Sequence, residues 1–400
     1  MNRRVELLAP AGNLEKLKIA YLYGADAVYA GGKKFSLRAR ASNFSLADIK
    51  EAAEFACKIG KKFYITMNIV PHEDDLDGLV DYLMELSSYK VTGIIVSSLT
   101  IVKVCKEVAP NLEIHISTQD SSMNSDTINY YESLGAHRVV LARECNLEAI
   151  KEINKKVNIE TEVFIHGGMC SSFSGRCMLS NYLTNRDSNR GGCAHSCRWN
   201  YRIYENDNLL TKNNYFSVGS KDLNAIKLIP ELIKSGVASL KIEGRMKSLY
   251  YIACVVRSYR MLIDDYYNGK EIDYNYYNNE INKAENRITS TGFLLTNKLK
   301  PISKNEQLYS DTLETPTKDF LGIVLDYDEM DNVVTLEQRN IFHPHDKVEF
   351  FGPNLKNIVF EIGSIFDNQG RELDSANHPM EVVRFKLPFR VEKNDMMRRL

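Results

Sequence analysis

The chain has 400 residues, 44% of them hydrophobic and 26% charged, with a formal net charge of −1. That length suits one large domain and a smaller one with a sizeable core, and the balanced charge excludes a chain that binds nucleic acid by bulk basicity. The N-terminus shows no apolar stretch of a secretory signal before Pro10 and no apolar run approaches a membrane span, so the expected address is the cytoplasm, with no membrane partner.

Short apolar runs alternate with helical patterns from the start. The spacing predicts strands over residues 5–10, 27–32, 62–68, 93–98, 112–118, 138–143 and 160–167. Helices are predicted over 13–23, 46–59, 76–87, up to 108, 125–134 and 147–155, with Gly24 and Gly60 closing the first two. After 167 the rhythm breaks for a Cys-rich insertion at 168–200. It resumes with a helix over 223–235, an eighth strand over 239–244 and a long helix from 248 to about 267. Eight strands separated mostly by single helices predict an α/β fold, a (β/α)8 TIM-like barrel over residues 1–270. A doubly wound open sheet shares the local pattern. Alternating polar residues favour closure: Glu113, His115 and Ser117, then Glu162 and His166, then Lys241, Glu243 and Arg245 would each lie on one face. Such a face is hard to bury under helices, whereas a barrel mouth accepts it.

Residues 271–299, rich in Asn and Tyr, read as a helical linker. From 300 to 400 the pattern is β, a small barrel-like domain. Strands over 320–326 and 332–338 flank a turn, and 347–351, 357–366 and 380–387 follow. Tyr327, Phe342, Phe350 and Phe351 are core residues or, in an RNA-docking module, base-stacking ones. His343-Pro344-His345 reads as a turn.

Four of the eight cysteines, Cys57, Cys105, Cys145 and Cys254, are scattered in apolar surroundings and read as small core hydrophobes. Cys170, Cys177, Cys193 and Cys197 are clustered, with spacing C-x6-C-x15-C-x3-C, in a polar, Gly-rich segment. A reducing compartment argues against disulfides, and four thiolates suit structural zinc or a 4Fe–4S cluster. The lack of any paired C-x2-C tilts this reading slightly toward iron–sulfur, with zinc still open. The segment follows strand seven, at the rim where barrel enzymes carry their chemistry. Residues 176–202 also hold Arg176, Arg186, Arg190, Arg198 and Arg202, with only Asp187 opposing them. One arginine in such a loop would ordinarily pair with carbonyls, but five beside a metal site suit an anionic ligand.

Residues 170–177 (CSSFSGRC), 179–182 (LSNY), 185–191 (NRDSNRG) and 193–199 (CAHSCRW) resemble the signature of the peptidase U32 family. Residues 6–12, 36–44, 117–119, 139–144 and 239–248 agree with it. The similarity is strongest to the family's branch of prephenate-dependent tRNA uridine hydroxylases and covers nearly the whole chain. It implies an oxygen-independent hydroxylation that turns the wobble uridine of tRNA into 5-hydroxyuridine. Cys170, Cys177, Cys193 and Cys197 would hold a 4Fe–4S cluster, and prephenate would supply the oxygen. The implied partners are tRNA and prephenate, with a paralogous family member as a further candidate. Prephenate carries two carboxylates and so needs at least two cations. The candidates are Arg38, Arg40, Arg143, Arg176, Arg186, Arg190 and Arg245; no catalytic residue is assigned. Ser98, Asp120 and Asn185 depart from the pattern, standing where aspartate, a small residue and glycine are common.

Two other classes compete. The family name suggests a metal-dependent, collagenase-like peptidase, yet the chain has no His-Glu-x-x-His and no G-x-S-x-G. His115, His166 and Glu243 would have to meet inside the barrel as a zinc site, and hydrogen-bonded core polar groups are the preferred reading. The third class is a non-catalytic RNA-binding factor working through the β domain.

Overall fold

A computed structural model describes residues 4–37, 43–211, 215–284, 287–296, 307–308 and 319–400 of the chain. Eight strands pair in parallel: β1 (Glu6–Pro10), β2 (Ala27–Gly31), β3 (Lys62–Met67), β4 (Gly93–Val96), β5 (Glu113–Ile116), β6 (Arg138–Val140), β7 (Glu160–Gly167) and β8 (Ser239–Ile242). β8 pairs with both β1 (Leu7↔Leu240) and β7 (Leu240↔Val163), so the sheet closes. The expected TIM-like barrel forms, and the open sheet is ruled out.

Helices α1 (Leu14–Leu22), α2 (Leu46–Lys58), α3 (Leu79–Ser88), α4 (Leu99–Val108), α5 (Ser125–Ser133) and α6 (Leu147–Asn154) follow the first six strands. Asn13, Ser45, Asn124 and Asn146 start four of them, each side chain accepting the backbone N–H three residues on. A short helix, α7 (Leu179–Thr184), lies in the excursion after β7. α8 (Ile229–Lys234) precedes β8, and α9 (Leu249–Tyr267) follows it, then α10 (Tyr274–Asn282). The helix expected over 223–235 is shorter than read. Leu223 and Asn224 belong to a short strand, Asp222–Asn224, that runs antiparallel to the end of β7 and closes the excursion. Pro230 then opens the helix proper. Among the described residues no helix is long and apolar enough to cross a membrane.

The strands' outward residues, Leu7, Val28, Phe63, Ile94, Ile114, Val139, Val163 and Leu240 among them, pack under the helices as the main core. The inward face holds a small apolar group, Leu8, Ala27, Tyr29, Tyr64 and Ile95, beside buried charge. Arg138 Nη1 lies 2.6 Å from Glu6 and 3.0 Å from Glu162, and its Nη2 lies 2.7 Å from Glu160. Lys241 Nζ lies 2.7 Å from Glu162. Buried charge is tolerated only when paired in this way.

The predicted alternation fails at one place. Lys241 pairs with Phe164 but Ile242 with His166, so a β-bulge skips Ile165. His166 therefore does not share the inward face of Glu162. Its ring lies 5.6 Å from that of Tyr259 and 5.9 Å from that of Tyr251, both on α9. At the next residue, Gly167, φ is +99° and an added Cβ would sit 2.6 Å from the Glu243 carbonyl oxygen, so only glycine fits where these two strand ends meet.

The C-terminal domain is a curled antiparallel sheet. Its strands are β9 (Phe320–Asp328), β10 (Val333–Gln338), β11 (Lys347–Phe351), β12 (Ile358–Glu361), β13 (Ile365–Asp367), β14 (Glu372–Leu373), β15 (Val382–Lys386) and β16 (Met396–Arg399), in the order β12-β11-β16-β9-β10-β15-β13-β14. The strand expected over 357–366 divides around Gly363. β16, a central strand, was not predicted. Phe342, Phe350 and Phe351 are fully buried, and the Tyr327 hydroxyl donates to the Leu387 carbonyl. The three phenylalanines are core, and Tyr327 is half-buried against it. The domain seats on α9 and α10. Phe320 stacks on Tyr250 with centroids 5.0 Å apart, and the Arg257 guanidinium donates to the Gly352 and Leu355 carbonyls.

Candidate functional site at the barrel mouth

All four clustered cysteines lie in the excursion between β7 and the Asp222–Asn224 strand. Cys170 and Cys193 are exposed, Cys177 and Cys197 half-buried, and none of the four is in a disulfide. Of the scattered four, Cys105, Cys145 and Cys254 are buried as expected; Cys57 is exposed near the end of α2.

The excursion is tied to the rim at several points. The Glu144 carboxylate, just past β6, accepts the backbone N–H of Ser174 at 2.7 Å and the Ser174 hydroxyl as well. Ser174 holds φ +46°, midway between Cys170 and Cys177. Arg176 Nε donates to the Gln119 carbonyl at 2.5 Å, and Asn68 donates to the Gln119 side chain at 3.2 Å. The Asn189 side chain brackets Cys177, accepting its N–H at 3.3 Å and donating to its carbonyl at 3.2 Å. The Asn189 carbonyl accepts the N–H of Val70. Asn185 ends α7 at φ +53°, a conformation asparagine tolerates, so it serves there in place of glycine.

Among the described residues no set of three or more His, Cys, Asp or Glu side chains stands close enough to hold a metal ion. The donor chemistry nevertheless fits a group ligated by four thiolates. None of the four sulfurs is in a disulfide, and all share one segment. Burial pushes the Cys197 thiol up, Arg198 opposes this, and nearby Cys170 and Cys193 reinforce it. Cys170, Cys177, Cys193 and Cys197 are the residues that would hold such a group after closing on it.

The candidate arginines separate by their partners. Arg38 and Arg40 lie outside the described residues. Arg190 is held by Asp75, with Nε and Nη2 each 2.7 Å from a carboxylate oxygen and Asp74 at 3.5 Å. Arg198 pairs with Asp222 at 3.0 Å, and Arg176 lies 3.8 Å from Asp120. Asp187 is thus far from being their sole opponent. Arg186 donates to the Cys193 carbonyl, and its buried Nε has no partner among the described residues. Arg245 is buried in the mouth and donates to the Ser36 and Thr66 hydroxyls and the Leu37 carbonyl. Arg143 lies 3.9 Å above the Phe164 ring and pairs with no carboxylate among the described residues.

Below Arg143 is Lys241, whose ammonium also faces Phe164, at 5.4 Å. Burial lowers the Lys241 pKa, the Glu162 charge resists this, and Arg138 and Arg143 add to it. Burial pushes the Glu162 carboxyl up, but Lys241 and Arg138 outweigh it and hold it at about 2. His115 is fully buried inside the barrel, 3.1 Å from Glu113. It and the outward-facing His166 do not converge as a zinc site.

Two further features mark the mouth. A cavity of about 750 Å3 opens between the loops after β3 and β4 and the cysteine excursion. Exposed aromatic rings also concentrate on the excursion. Of six among the described residues, five are Phe173, Tyr182, Trp199, Tyr204 and Tyr215, and Tyr182 is 82% exposed. Residues 168–224 carry five arginines and two lysines against four acids. The β domain, 319–400, is the reverse, with ten basic and fifteen acidic residues.

The model of peptidase family U32 matches residues 12–304, and that of the U32 C-terminal domain matches 316–398. The chain belongs to the U32 family. Among its U32 relatives, the "tRNA hydroxylation protein P1" of Bacillus subtilis is 47% identical over 407 aligned positions, covering 100% of this chain and 96% of that one. The "tRNA hydroxylation protein P" of Haemophilus influenzae is 32% identical, covering 93% and 90%. A crystal structure of the C-terminal domain of a putative U32 peptidase from Geobacillus thermoleovorans is 44% identical, covers 22% of this chain and 99% of that one, and superposes with a TM-score of 0.21.

Sequence reasoning missed Glu144, Gln119, Asn189 and Asp75. Each works through a contact with a distant segment, and Asp75 and Arg190 are far apart in the chain, so spacing carried no signal for them.

Proposed function

We propose that this U32 protein hydroxylates a uridine of tRNA at C5, without molecular oxygen, using prephenate as the oxygen donor and a 4Fe–4S cluster held by Cys170, Cys177, Cys193 and Cys197. The observation that carries the reading is that one excursion at the barrel mouth bears four cysteines outside any disulfide, an excess of basic residues and five of the six exposed aromatic rings among the described residues. Aromatic rings with interspersed arginines suit unstacked bases and phosphates. The names of the relatives support RNA hydroxylation.

The cluster, when bound, would supply electron transfer at the mouth. The chain's own groups bind and orient. Arg143 and Arg245 face the mouth as cations for the carboxylates of prephenate. Phe164 lies under the Arg143 guanidinium, and the excursion presents the RNA strand.

A peptidase reading has little support from the site. His115 is enclosed with Glu113 and His166 packs against α9, so neither reaches a peptide at the mouth. Docking of RNA by the β domain alone is disfavoured by its acidic balance and buried aromatics.

The test is anaerobic purification, with iron and sulfide assays and an absorption spectrum, followed by incubation with tRNA and prephenate and nucleoside mass spectrometry. A broad violet charge-transfer band, lost in Cys193→Ala, and prephenate-dependent 5-hydroxyuridine are expected. Folded protein that lacks iron and still modifies tRNA would overturn the cluster, and failure of prephenate to support the product would overturn the donor.

A further inference from the structure

We propose that the 750 Å3 cavity beside Cys177 takes one pyrimidine base turned out of a single-stranded RNA loop, separate from the cations that take the acid co-substrate; this rests on the tRNA reading above. The size lies in the range of sites that enclose a small ligand. Its walls differ in kind. Val70, Pro71, Leu76 and Met178 offer apolar surface to the faces of a flat ring. Ser98, Thr100 and the amide of Asn181 offer hydrogen bonds to its edge.

These polar groups have capacity to spare. Asn181 uses its side-chain oxygen to accept the N–H of Ser188, which leaves its NH2 as a donor. Ser98 stands at the start of α4 without capping it. Uracil presents two carbonyl acceptors and one N–H at its edge, and this set of donors with nearby carboxylates matches that pattern.

The charges argue against a small dianion here. Glu73 and Asp187 line the cavity and oppose Arg176. A dicarboxylate is better served where Arg143 has no acidic partner among the described residues. The entrance also favours RNA. Met178 and Asn181 belong to the excursion that carries the exposed rings, and Tyr182, next to Asn181, is the most exposed of them. A neighbouring base stacked on such a ring would hold the strand while its neighbour enters. Asn189 lines the cavity and brackets the Cys177 backbone, so an occupant would lie next to that cysteine.

The experiment is photo-crosslinking of the full chain to an anticodon-stem-loop RNA hairpin carrying a single 4-thiouridine in the loop, with peptide mapping by mass spectrometry. It reads position without requiring turnover or metal. Crosslinks within residues 70–76 or 176–189 are expected. Thr100→Trp alters an exposed position and would fill the cavity. It should lower the crosslink yield at least tenfold while leaving the circular dichroism spectrum unchanged. A hairpin that binds and is hydroxylated but crosslinks elsewhere, or crosslinks equally to Thr100→Trp, overturns the pocket and leaves the activity standing. A hairpin that does not bind at all overturns both.

Discussion

Glu144 accepts two hydrogen bonds from Ser174, one from its backbone N–H and one from its hydroxyl, and so joins the end of β6 to the middle of the Cys170–Cys177 segment. Ser174 is buried there in a left-handed conformation. Glu144→Ala would leave both donors without an acceptor, at a cost of about 1–3 kcal/mol. The barrel should stay folded, because the contact lies outside its core. Amides of 173–177 should exchange with deuterium roughly tenfold faster or more, and metal loading should fall. Glu144→Gln keeps one acceptor oxygen and should lose less. Unchanged exchange in Glu144→Ala would show that the segment is held by its other ties.

Glu162 sets an acid limit. Against burial, Lys241 and Arg138 hold its carboxyl near 2, below its ordinary value of 4.5. A carboxyl lowered by folding binds protons more weakly in the folded chain. Its contribution is therefore full above about pH 4.5 and is lost as pH falls toward 2; the shift corresponds to roughly 3 kcal/mol. Glu162→Gln leaves Lys241 and Arg138 short of a counter-charge and should lower stability at neutral pH by about 3–5 kcal/mol. The gap between the two proteins should shrink between pH 4.5 and 2 in thermal unfolding. A constant gap would exclude Glu162 as the titrating group.

The barrel was legible because its strands show one apolar and one partly polar face, and because Gly24 and Gly60 mark helix ends. Less was legible where one residue changes register. The bulge at Ile165 turns His166 outward, and two-residue periodicity has no sign of it. β16 was missed because Asp395, Arg398 and Arg399 make its segment read as a polar chain end, whereas Arg398 is buried against carboxylates from other segments. That Cys170, Cys177, Cys193 and Cys197 share one excursion after β7 was legible from their spacing. Which of the arginines meet a carboxylate was not, since Asp75 and Asp222 reach Arg190 and Arg198 only in the folded chain.

Arg143 should set affinity for the acid co-substrate. It stacks on Phe164 and has no carboxylate partner among the described residues. Arg143→Lys keeps the charge but loses the guanidinium's contact with the ring and its paired donors. Losing a charge-assisted hydrogen bond of about 1.5–3 kcal/mol predicts a rise in KM for prephenate of roughly 10- to 100-fold. The visible spectrum and RNA binding should be unchanged. Initial rates at varied prephenate check this, and an unaltered KM would place the acid away from Arg143.

Arg398 should hold the two domains together. Its guanidinium is fully buried, 2.7 Å from Glu280 on α10, bonded to Glu349 on β11 and 4.4 Å from the Phe351 ring. Arg398→Ala would strand two buried carboxylates beside Lys283, at about 3–5 kcal/mol. Replacing the charges together is less costly, because an apolar group of similar size removes the need for a partner. Arg398→Met with Glu280→Gln and Glu349→Gln should therefore recover part of the loss. Calorimetry should show the barrel and β-domain transitions separating in Arg398→Ala and drawing together again in the triple variant. The absorption spectrum should not move, since none of these residues belongs to the cysteine excursion. One unaltered transition in Arg398→Ala would assign the cohesion to Arg257 and the Tyr250–Phe320 stack instead.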